Sequence, residues 1–276
     1  MRRLLIRPGG IGDSILSFPA LEHLKADYTE VWVRGDVVPL VRFADRVCSI
    51  ASTGLDLLGL PDTDPPDFLL ERLRSFDSIV SWYGANRPEF RESVEALGLP
   101  FRFLDALPPP GEKIHTADFF LKQAGGTGLA VPRIECPPVE RRDFAVIHPF
   151  SGGARKNWPL ERYRELATRL PLDTQWCAGP EEKLDNAVRM ENLWDLACWL
   201  RSARVYIGND SGITHLAAAV GTPVVAIFGS TDPERWAPRG KLVEIVSGAF
   251  ETIDAHRVSA AVAHVLLRAP QFQSYY

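Results

Sequence analysis

Four polar side chains that could do chemistry lie together in the segment 208–219, GNDSGITHLAAA: Asp210, Ser211, Thr214 and His215. The segment follows an apolar run and ends in alanines, which predicts a strand, a polar turn and a short helix in that order. Amides in the first turn of a helix lack partners inside the helix and bind anions. Packing alone does not require so many polar groups at one corner, and the pattern predicts a phosphorylated ligand. A capped helix whose His215 is hydrogen-bonded inside the protein is the alternative.

A second candidate loop, 148–159, HPFSGGARKNWP, follows a predicted buried strand. Ser151 and Gly152 offer hydrogen-bond donors with little bulk, while Arg155 and Lys156 place cations ahead of a predicted helix. Such a loop can hold a diphosphate and neutralise the charge that develops on it. A solvated basic loop, in which the tryptophan only packs, explains the same residues equally well.

The third candidate, 7–14, RPGGIGDS, comes directly after the first predicted strand. Gly10 and Gly12 let the backbone approach a ligand, and Asp13 falls at the start of the next helix. Helix capping, worth about 1 kcal/mol, is the simpler role for an aspartate there. The pattern departs from the dinucleotide fingerprint, because Ile15 occupies the position of the third glycine.

Two other enzyme classes have residue patterns that can be compared with this sequence. A nicotinamide-dependent oxidoreductase would use the glycine turn at 9–12 for the nucleotide and Asp36 for the ribose. The Arg-Gly-Asp sequence that contains Asp36 fits an ordinary turn equally well. A serine hydrolase is disfavoured, because Asn209 and Ile213 replace the two glycines of GxSxG around Ser211.

Composition and charge further limit the classes of protein to which this chain can belong. The 276 residues are 46% apolar and 24% charged, which is typical of a soluble globular protein. A net charge of −4 without a Lys/Arg run argues against nucleic acid as a partner. The four cysteines form no CxxC pair, so we expect buried free thiols in a reducing compartment rather than a metal or redox site. The N-terminal apolar run is too short for a signal peptide or a membrane span, and we expect a cytoplasmic protein.

Short apolar runs alternate with helical patterns along the chain, which indicates an α/β protein with parallel sheets. We expect two Rossmann-like domains, 1–138 and 139–276, with the proline-rich segment 131–142 as linker and a cleft between the two sheets. The last helix could pack back on the N-terminal domain. The predicted strands are 4–7, 31–33, 78–82, 144–147, 174–178, 205–207 and 224–228, and the predicted helices are 14–25, 87–97, 116–124, 160–170, 193–201 and 254–268.

Taken together, the three loops resemble glycosyltransferase family nine, the heptosyltransferases that build the lipopolysaccharide inner core. The resemblance lies in RPGGIGDSILSFPALEHL, HPFSGGARKNWPLERYRELA and GNDSGITHLAAAVGTPVVAIFGSTDPERWAPRG, in the family's order. It implies a GT-B fold and inverting transfer of a sugar from a nucleoside-diphosphate donor, commonly ADP-heptose. The implied acceptor is a hydroxyl of a lipopolysaccharide core or of a related glycan, which can be lipid-linked.

The resemblance also implies a role for each matching residue. Asp13 would be the general base, Lys156 would contact the donor phosphates and Asp210 would orient the donor sugar. Seven further positions would contribute to the donor site: Ser151 and Gly152 from the central loop, Ser211, Gly212 and His215 at the diphosphate, and, by a looser match, Glu181 and Glu191 at the ribose and base.

The implied reaction uses a nucleotide sugar as co-substrate and no metal. Asp62-Thr63-Asp64 has the Asp-x-Asp form of metal-dependent glycosyltransferases, but it lies in a proline-rich turn with no strand before it. The segment 180–192 is shorter than in the family, which leaves the donor base open. A protein that binds a nucleotide sugar without catalysis is a further alternative. Contact with a membrane would be peripheral at most, at the inner face of the cytoplasmic membrane.

Overall fold

The computed structural model describes residues 1–60 and 64–269. The chain divides into two compact units, Met1–Ala130 and Val131–Tyr276. The division falls at the start of the proline-rich segment expected to be the linker, whereas the expected domain boundary followed residue 138. Each unit is an α/β layer structure built on one parallel sheet of five strands.

The first unit alternates strands and helices around a sheet whose order is β3-β2-β1-β4-β5. Leu4, Ile6 and Ile79 are fully buried on one face of this sheet, where they pack with the helices that follow β3 and β4. Successive side chains of β1 point to opposite faces of the sheet, and both faces are covered, as a doubly wound sheet requires. The elements are β1 Arg2–Ile6, α1 Ile11–His23, β2 Tyr28–Val33, β3 Arg46–Ser49, α2 Asp67–Arg74, β4 Ser78–Ser81, α3 Pro88–Ala96, β5 Phe101–Phe103 and α4 Thr116–Gln123.

The second unit has the sheet order β10-β9-β8-β6-β7. Its core joins the buried residues of the central strands, such as Ile147, Ile207 and Ile227, with residues of α5 and of the closing helix. The elements are β6 Arg142–His148, α5 Leu160–Arg169, β7 Asp173–Trp176, α6 Leu193–Arg201, β8 Ala203–Asn209, α7 Gly212–Ala219, β9 Val224–Phe228, α8 Pro233–Trp236, β10 Val243–Ser247 and α9 Ala255–Arg268.

Both strand orders create a point at which the winding of the sheet reverses. In the first unit the reversal lies between β1 and β4, and in the second between β6 and β8. Ligands of open α/β sheets bind beyond the carboxyl ends of the strands at such a point. The three loops singled out in the sequence follow β1, β6 and β8, so each starts at a reversal point.

The closing helix α9 belongs to the core of the second unit. Asp254 caps its first turn by accepting a hydrogen bond from the Arg257 amide over 2.8 Å. Val258, Val262 and Val265 are buried at helical spacing in the same cluster as the strands of the second sheet. The buried face of α9 therefore packs within the second unit.

Two features expected from the sequence concern the chain as a whole, its membrane-spanning potential and its cysteines. No described helix is both long enough and apolar enough to cross a membrane. All four cysteines are free thiols, of which Cys136 and Cys177 are buried. Burial raises the pKa of each of these two thiols to about 12, so both stay protonated and unreactive at neutral pH.

Candidate functional site

Asp210 is the centre of a polar network at the carboxyl end of β8. Its side chain is only 6% exposed. Asp210 Oδ2 accepts hydrogen bonds from Lys156 Nζ over 2.7 Å and from Thr231 Oγ1 over 2.8 Å, and Asp210 Oδ1 lies 3.9 Å from His215 Nε2. The structure therefore brings together Lys156, Asp210 and His215, which the sequence placed in two separate loops.

The loop that carries Lys156 is closed by its own side chains. Ser151 Oγ lies 2.9 Å from the Gly153 carbonyl oxygen and 2.7 Å from Asn157 Oδ1. A Cβ atom on Gly152 or Gly153 would meet no atom of residues 1–60 and 64–269 within 4 Å, and neither glycine has a positive φ. Neither packing nor backbone strain requires glycine at these two positions, so the space above the loop is open to a ligand.

Asn209 ties this loop to the Asp210 corner. The side chain is fully buried, and its Oδ1 accepts hydrogen bonds from the Trp158 amide and the Tyr163 hydroxyl, each over 2.9 Å. Its Nδ2 donates to the Pro149 carbonyl over 2.8 Å. Both ends of the loop 149–158 are thereby bound to the last residue of β8. The sequence shows Asn209 only as a departure from GxSxG, because its position alone does not reveal these partners.

The first turn of α7 completes the corner. Ser211 is its N-cap, and its side chain accepts a hydrogen bond from the Thr214 amide over 3.3 Å. The Thr214 hydroxyl is fully buried and lies within 3.1 Å of the Tyr206 hydroxyl and 3.0 Å of Ser211 Oγ. The capped-helix alternative therefore describes the Ser211 side chain. The amide of Gly212 belongs to the first turn, whose amides have no acceptor inside the helix.

A second carboxylate, Glu182, lies beside the end of β6. Glu182 Oε2 accepts a hydrogen bond from the Gly179 amide over 2.6 Å and lies 3.1 Å from Nε2 of the buried His148. Burial raises the pKa of Glu182, but these hydrogen bonds and the Arg189 charge outweigh burial, and the pKa lies below its usual value.

Glu181 and Glu191, the two glutamates expected near the ribose and base, are both exposed. The structure places neither of them in the Glu182–His148 contact. Sequence reasoning missed Glu182, because it stands next to Glu181 and nothing in the pattern Gly-Pro-Glu-Glu tells the two apart.

Asp13 lies at the corresponding corner of the first unit, after β1. Helix α1 begins at Ile11 rather than Ser14, its N-cap is Gly10, and no side chain caps it. The interpretation of Asp13 as the helix cap is therefore wrong. Among residues 1–60 and 64–269, none donates a hydrogen bond to its carboxylate. A Cβ atom on Gly10 would lie 3.2 Å from Asp13 Oδ2, so glycine at this position keeps the carboxylate uncovered.

Arg7 is one of the positive charges near Asp13, and Arg34 also interacts with the charge of Asp13. The Arg7 side chain is 4% exposed, and its guanidinium carbon lies 4.7 Å from the centre of the Phe120 ring. Burial lowers the pKa of Arg7 to about 10, and the negative charge of Asp13 opposes this change. A Cβ atom on Gly9 would lie 2.9 Å from Asp13 Cβ and 3.0 Å from Arg7 Nη1, so both side chains flank this glycine closely.

The next residues are those considered for a nicotinamide cofactor and for a metal ion. The Asp36 carboxylate is bound by the Arg34 guanidinium in the turn that follows β2, as the turn interpretation expects. The sequence Asp62-Thr63-Asp64 lies partly outside the described residues. In the part of the chain that the structure describes, no group of three or more His, Cys, Asp and Glu side chains is placed to hold a metal ion.

Solved structures with the same fold include a heptosyltransferase and a family 9 glycosyl transferase. The structure of E. coli ADP-heptose lps heptosyltransferase II has a TM-score of 0.71 at 18% identity and covers 97% of this chain and 99% of its own. The glycosyl transferase family 9 protein from Veillonella parvula has a TM-score of 0.76 at 17% identity and covers 97% of both chains. The fold is thus of the GT-B type, with two parallel five-stranded sheets.

Sequence comparison defines the family. The model of glycosyltransferase family 9 (heptosyltransferase) matches residues 123–262, which is slightly more than half of the chain, and the chain belongs to this family. The lipopolysaccharide core heptosyltransferase OpsX of Haemophilus influenzae is 28% identical over 124 residues. That match covers 38% of this chain and 36% of the relative, so the chain spans only about a third of the length of this curated relative.

Proposed function

We propose that this protein is a metal-independent, inverting glycosyltransferase that moves a heptose from ADP-heptose to a hydroxyl of a lipopolysaccharide core or related lipid-linked glycan. The observation that carries the proposal is the contact between Lys156 and Asp210 at the N-terminal end of α7, in a member of this family. The E. coli relative is an ADP-heptose lps heptosyltransferase, which supports the choice of donor. The reaction is assigned to the cytoplasmic face of the membrane that holds the acceptor.

The second unit has the parts of a diphosphate site. The first-turn amides of α7 and the Lys156 ammonium provide positive charge for an anion. The glycines at positions 152 and 153 leave room for a ligand close to the backbone. Amides at a helix N-terminus carry about half a positive charge, which favours an anion there. His215 is in the same helix turn, 3.9 Å from Asp210. A nucleoside diphosphate would satisfy these donors without a metal ion.

The transfer step assigns one role to each unit. The carboxylate of Asp13 removes the proton of the acceptor hydroxyl, and that oxygen forms a bond to the anomeric carbon of the sugar. The bond between the anomeric carbon and the phosphate oxygen breaks, and its electron pair leaves with the nucleoside diphosphate. Lys156 and the α7 amides stabilise the negative charge that grows on this leaving group. Because the oxygen attacks from the side opposite the phosphate, the anomeric configuration inverts.

The test is transfer by the purified protein. ADP-heptose and a heptose-deficient lipopolysaccharide core are mixed with the protein in the presence of a metal chelator, and the glycan is analysed by mass spectrometry. We expect a mass increase of one heptose and release of ADP, and NMR of the product should show the inverted anomeric configuration. No transfer from ADP-heptose or any other nucleotide sugar across a panel of acceptors would refute the proposal.

Two alternatives give different results in the same experiment. A protein that only binds nucleotide sugars would show ADP-heptose affinity without ADP release, and substitution of Asp13 would change nothing measurable. A nicotinamide-dependent oxidoreductase would bind NAD or NADP, which a fluorescence titration detects. The contact between Asp36 and Arg34 gives that second alternative no support.

A further inference from the structure

Thr231 contacts the proposed donor site, but the transfer step above gives it no role. It lies in the loop between β9 and α8, three residues after the end of β9. Its hydroxyl donates to Asp210 Oδ2 over 2.8 Å, and Lys156 Nζ donates to the same oxygen over 2.7 Å. One carboxylate oxygen is therefore shared by a neutral donor and a charged one.

The two donors differ in how firmly they are held. Lys156 has a flexible four-carbon side chain that is 39% exposed, and its ammonium can turn to any nearby anion. Thr231 is branched at Cβ, which restricts its χ1 angle, and it sits on a short loop next to the strand. A diphosphate carries more negative charge than Asp210 and would compete with it for the lysine.

The backbone of Asp210 is held by the same part of the sheet. The Asp210 amide donates to the Ile227 carbonyl of β9 over 3.2 Å, and Thr231 comes four residues further along the chain. Backbone and side chain of Asp210 are thus both bound to β9 and the loop that follows it. The hydrogen bond from Thr231 to Oδ2 does not depend on Lys156 and can persist if the lysine turns to a diphosphate.

Resting on the function proposed above, we propose that Thr231 is a positioning residue. Its hydroxyl holds Asp210 Oδ2 so that Oδ1 is kept for a hydroxyl of the donor sugar while Lys156 moves to the leaving group. The sugar is then oriented by a carboxylate whose position does not depend on the lysine. Misplacement of a reacting group by about 1 Å can cost roughly 100-fold in rate, so a single fixed hydroxyl can matter for turnover.

The test compares Thr231→Val, which keeps the branched shape and removes the hydroxyl, with Thr231→Ser, which keeps the hydroxyl. Ser230→Ala is the matched control, because Ser230 is the exposed neighbour. Initial rates with ADP-heptose should give a kcat that is roughly 10- to 100-fold lower in Thr231→Val. Thr231→Ser and Ser230→Ala should stay within about 3-fold of the wild type, and calorimetry with ADP alone should show a Kd within about 2-fold in all variants.

Several results would overturn the proposal. An unchanged kcat in Thr231→Val would show that the hydroxyl is not needed. Equal losses in Thr231→Val and Thr231→Ser would show that retaining the hydroxyl is not enough for activity and would assign the effect to packing of the whole side chain. An ADP affinity that falls together with kcat would place Thr231 at the diphosphate instead of the sugar.

A second measurement separates this proposal from the proposed function. In a Lys156→Met background without ligand, Thr231 is the remaining one of the two donors to Asp210 Oδ2 found among the described residues. Crystal structures should show the Asp210 carboxylate in place in that variant and turned away once Thr231→Val is added. An unmoved carboxylate in the double variant overturns the positioning role. If the wild type transfers no sugar at all, the proposed function fails, while this structural comparison still decides the role of Thr231.

Discussion

The two units place a carboxylate at the same point of similar sheets, yet they hold it in different ways. Asp210 is 6% exposed and is bound by Lys156 and Thr231. Asp13 is partly exposed, and no donor in the described residues is hydrogen-bonded to its carboxylate. A carboxylate that accepts a proton needs an uncovered oxygen, whereas one that orients a ligand must itself be held. The difference therefore supports a base in the first unit and a binding group in the second.

The supporting residues show the same contrast. In the second unit, Asn209 uses its side-chain oxygen and amide group to bind three partners in the loop of Lys156 and in α5. In the first unit, glycines at 9 and 10 leave room around Asp13 instead of binding it. The corner around Asp210 is thus fixed by side-chain hydrogen bonds, whereas the corner around Asp13 has glycines that leave room beside the carboxylate.

The largest expected effect comes from Asp13→Asn, which removes the proton acceptor and keeps the shape. We expect kcat/KM for ADP-heptose transfer to fall about 1000-fold, within the range of general-base catalysis. The free energy of unfolding should fall by less than about 2 kcal/mol, because Asp13 is not a cap and acts through the helix dipole and through its charge near Arg7. Asp36→Asn is the matched control and should keep full activity. Retained activity with a large loss of stability would assign Asp13 a structural role.

The next effect is on the stability of the second unit. Asn209→Ala leaves the Trp158 amide, the Tyr163 hydroxyl and the Pro149 carbonyl without their partner. Buried groups left unpaired cost about 1–3 kcal/mol each, and we expect a total loss of about 3 kcal/mol after partial relaxation. Urea unfolding measures it.

The control for this prediction is Asn192→Ala. Asn192 caps α6 with a single hydrogen bond to the Trp194 amide and is exposed, so its loss should cost only about 1 kcal/mol. Equal losses in the two variants would show that Asn209 does not organise the loop.

The sequence predicts the features of the two corners that depend on neighbouring residues better than those that depend on residues far apart in the chain. Apolar runs that end in polar residues correctly predicted the loops after β1, β6 and β8. The strands within each sheet are parallel, so their carboxyl ends lie at the same edge of that sheet. The start of α1 was wrong by three residues, because Gly10 caps it without a side chain and so carries no cap signal.

Other features depend on packing that no local pattern encodes. The edge strand Phe101–Phe103 has only three residues, too few to show a period of two. The partners Thr231 and Asp210 are 21 residues apart, and Glu182 and His148 are 34 apart. Their contacts follow from the order of strands in the second sheet, which the sequence left open.

A moderate effect is expected at the diphosphate. Lys156→Ala removes the ammonium and leaves Asp210 negatively charged beside the phosphates, so the ADP affinity should fall at least 10-fold. Lys241→Ala removes an exposed cation outside the candidate loop and should leave the affinity within about 2-fold. Calorimetry with ADP measures both. Equal affinities of the wild type and Lys156→Ala, in a well-folded variant, would remove Lys156 from the donor site.

The smallest effect concerns Glu182, whose pKa in the folded protein lies below its usual value. A carboxyl group with a lowered pKa stabilises the fold at neutral pH, and this contribution disappears as the pH falls from the ordinary pKa of about 4.3 through the folded-state pKa. The stability difference between the wild type and Glu182→Gln should therefore be largest near pH 6 and shrink as the solution is acidified. Urea unfolding at several pH values measures it, with the exposed Glu181→Gln as control. A difference that grows toward low pH would mean that burial, and not the hydrogen bonds from His148 and Gly179, controls this carboxyl group.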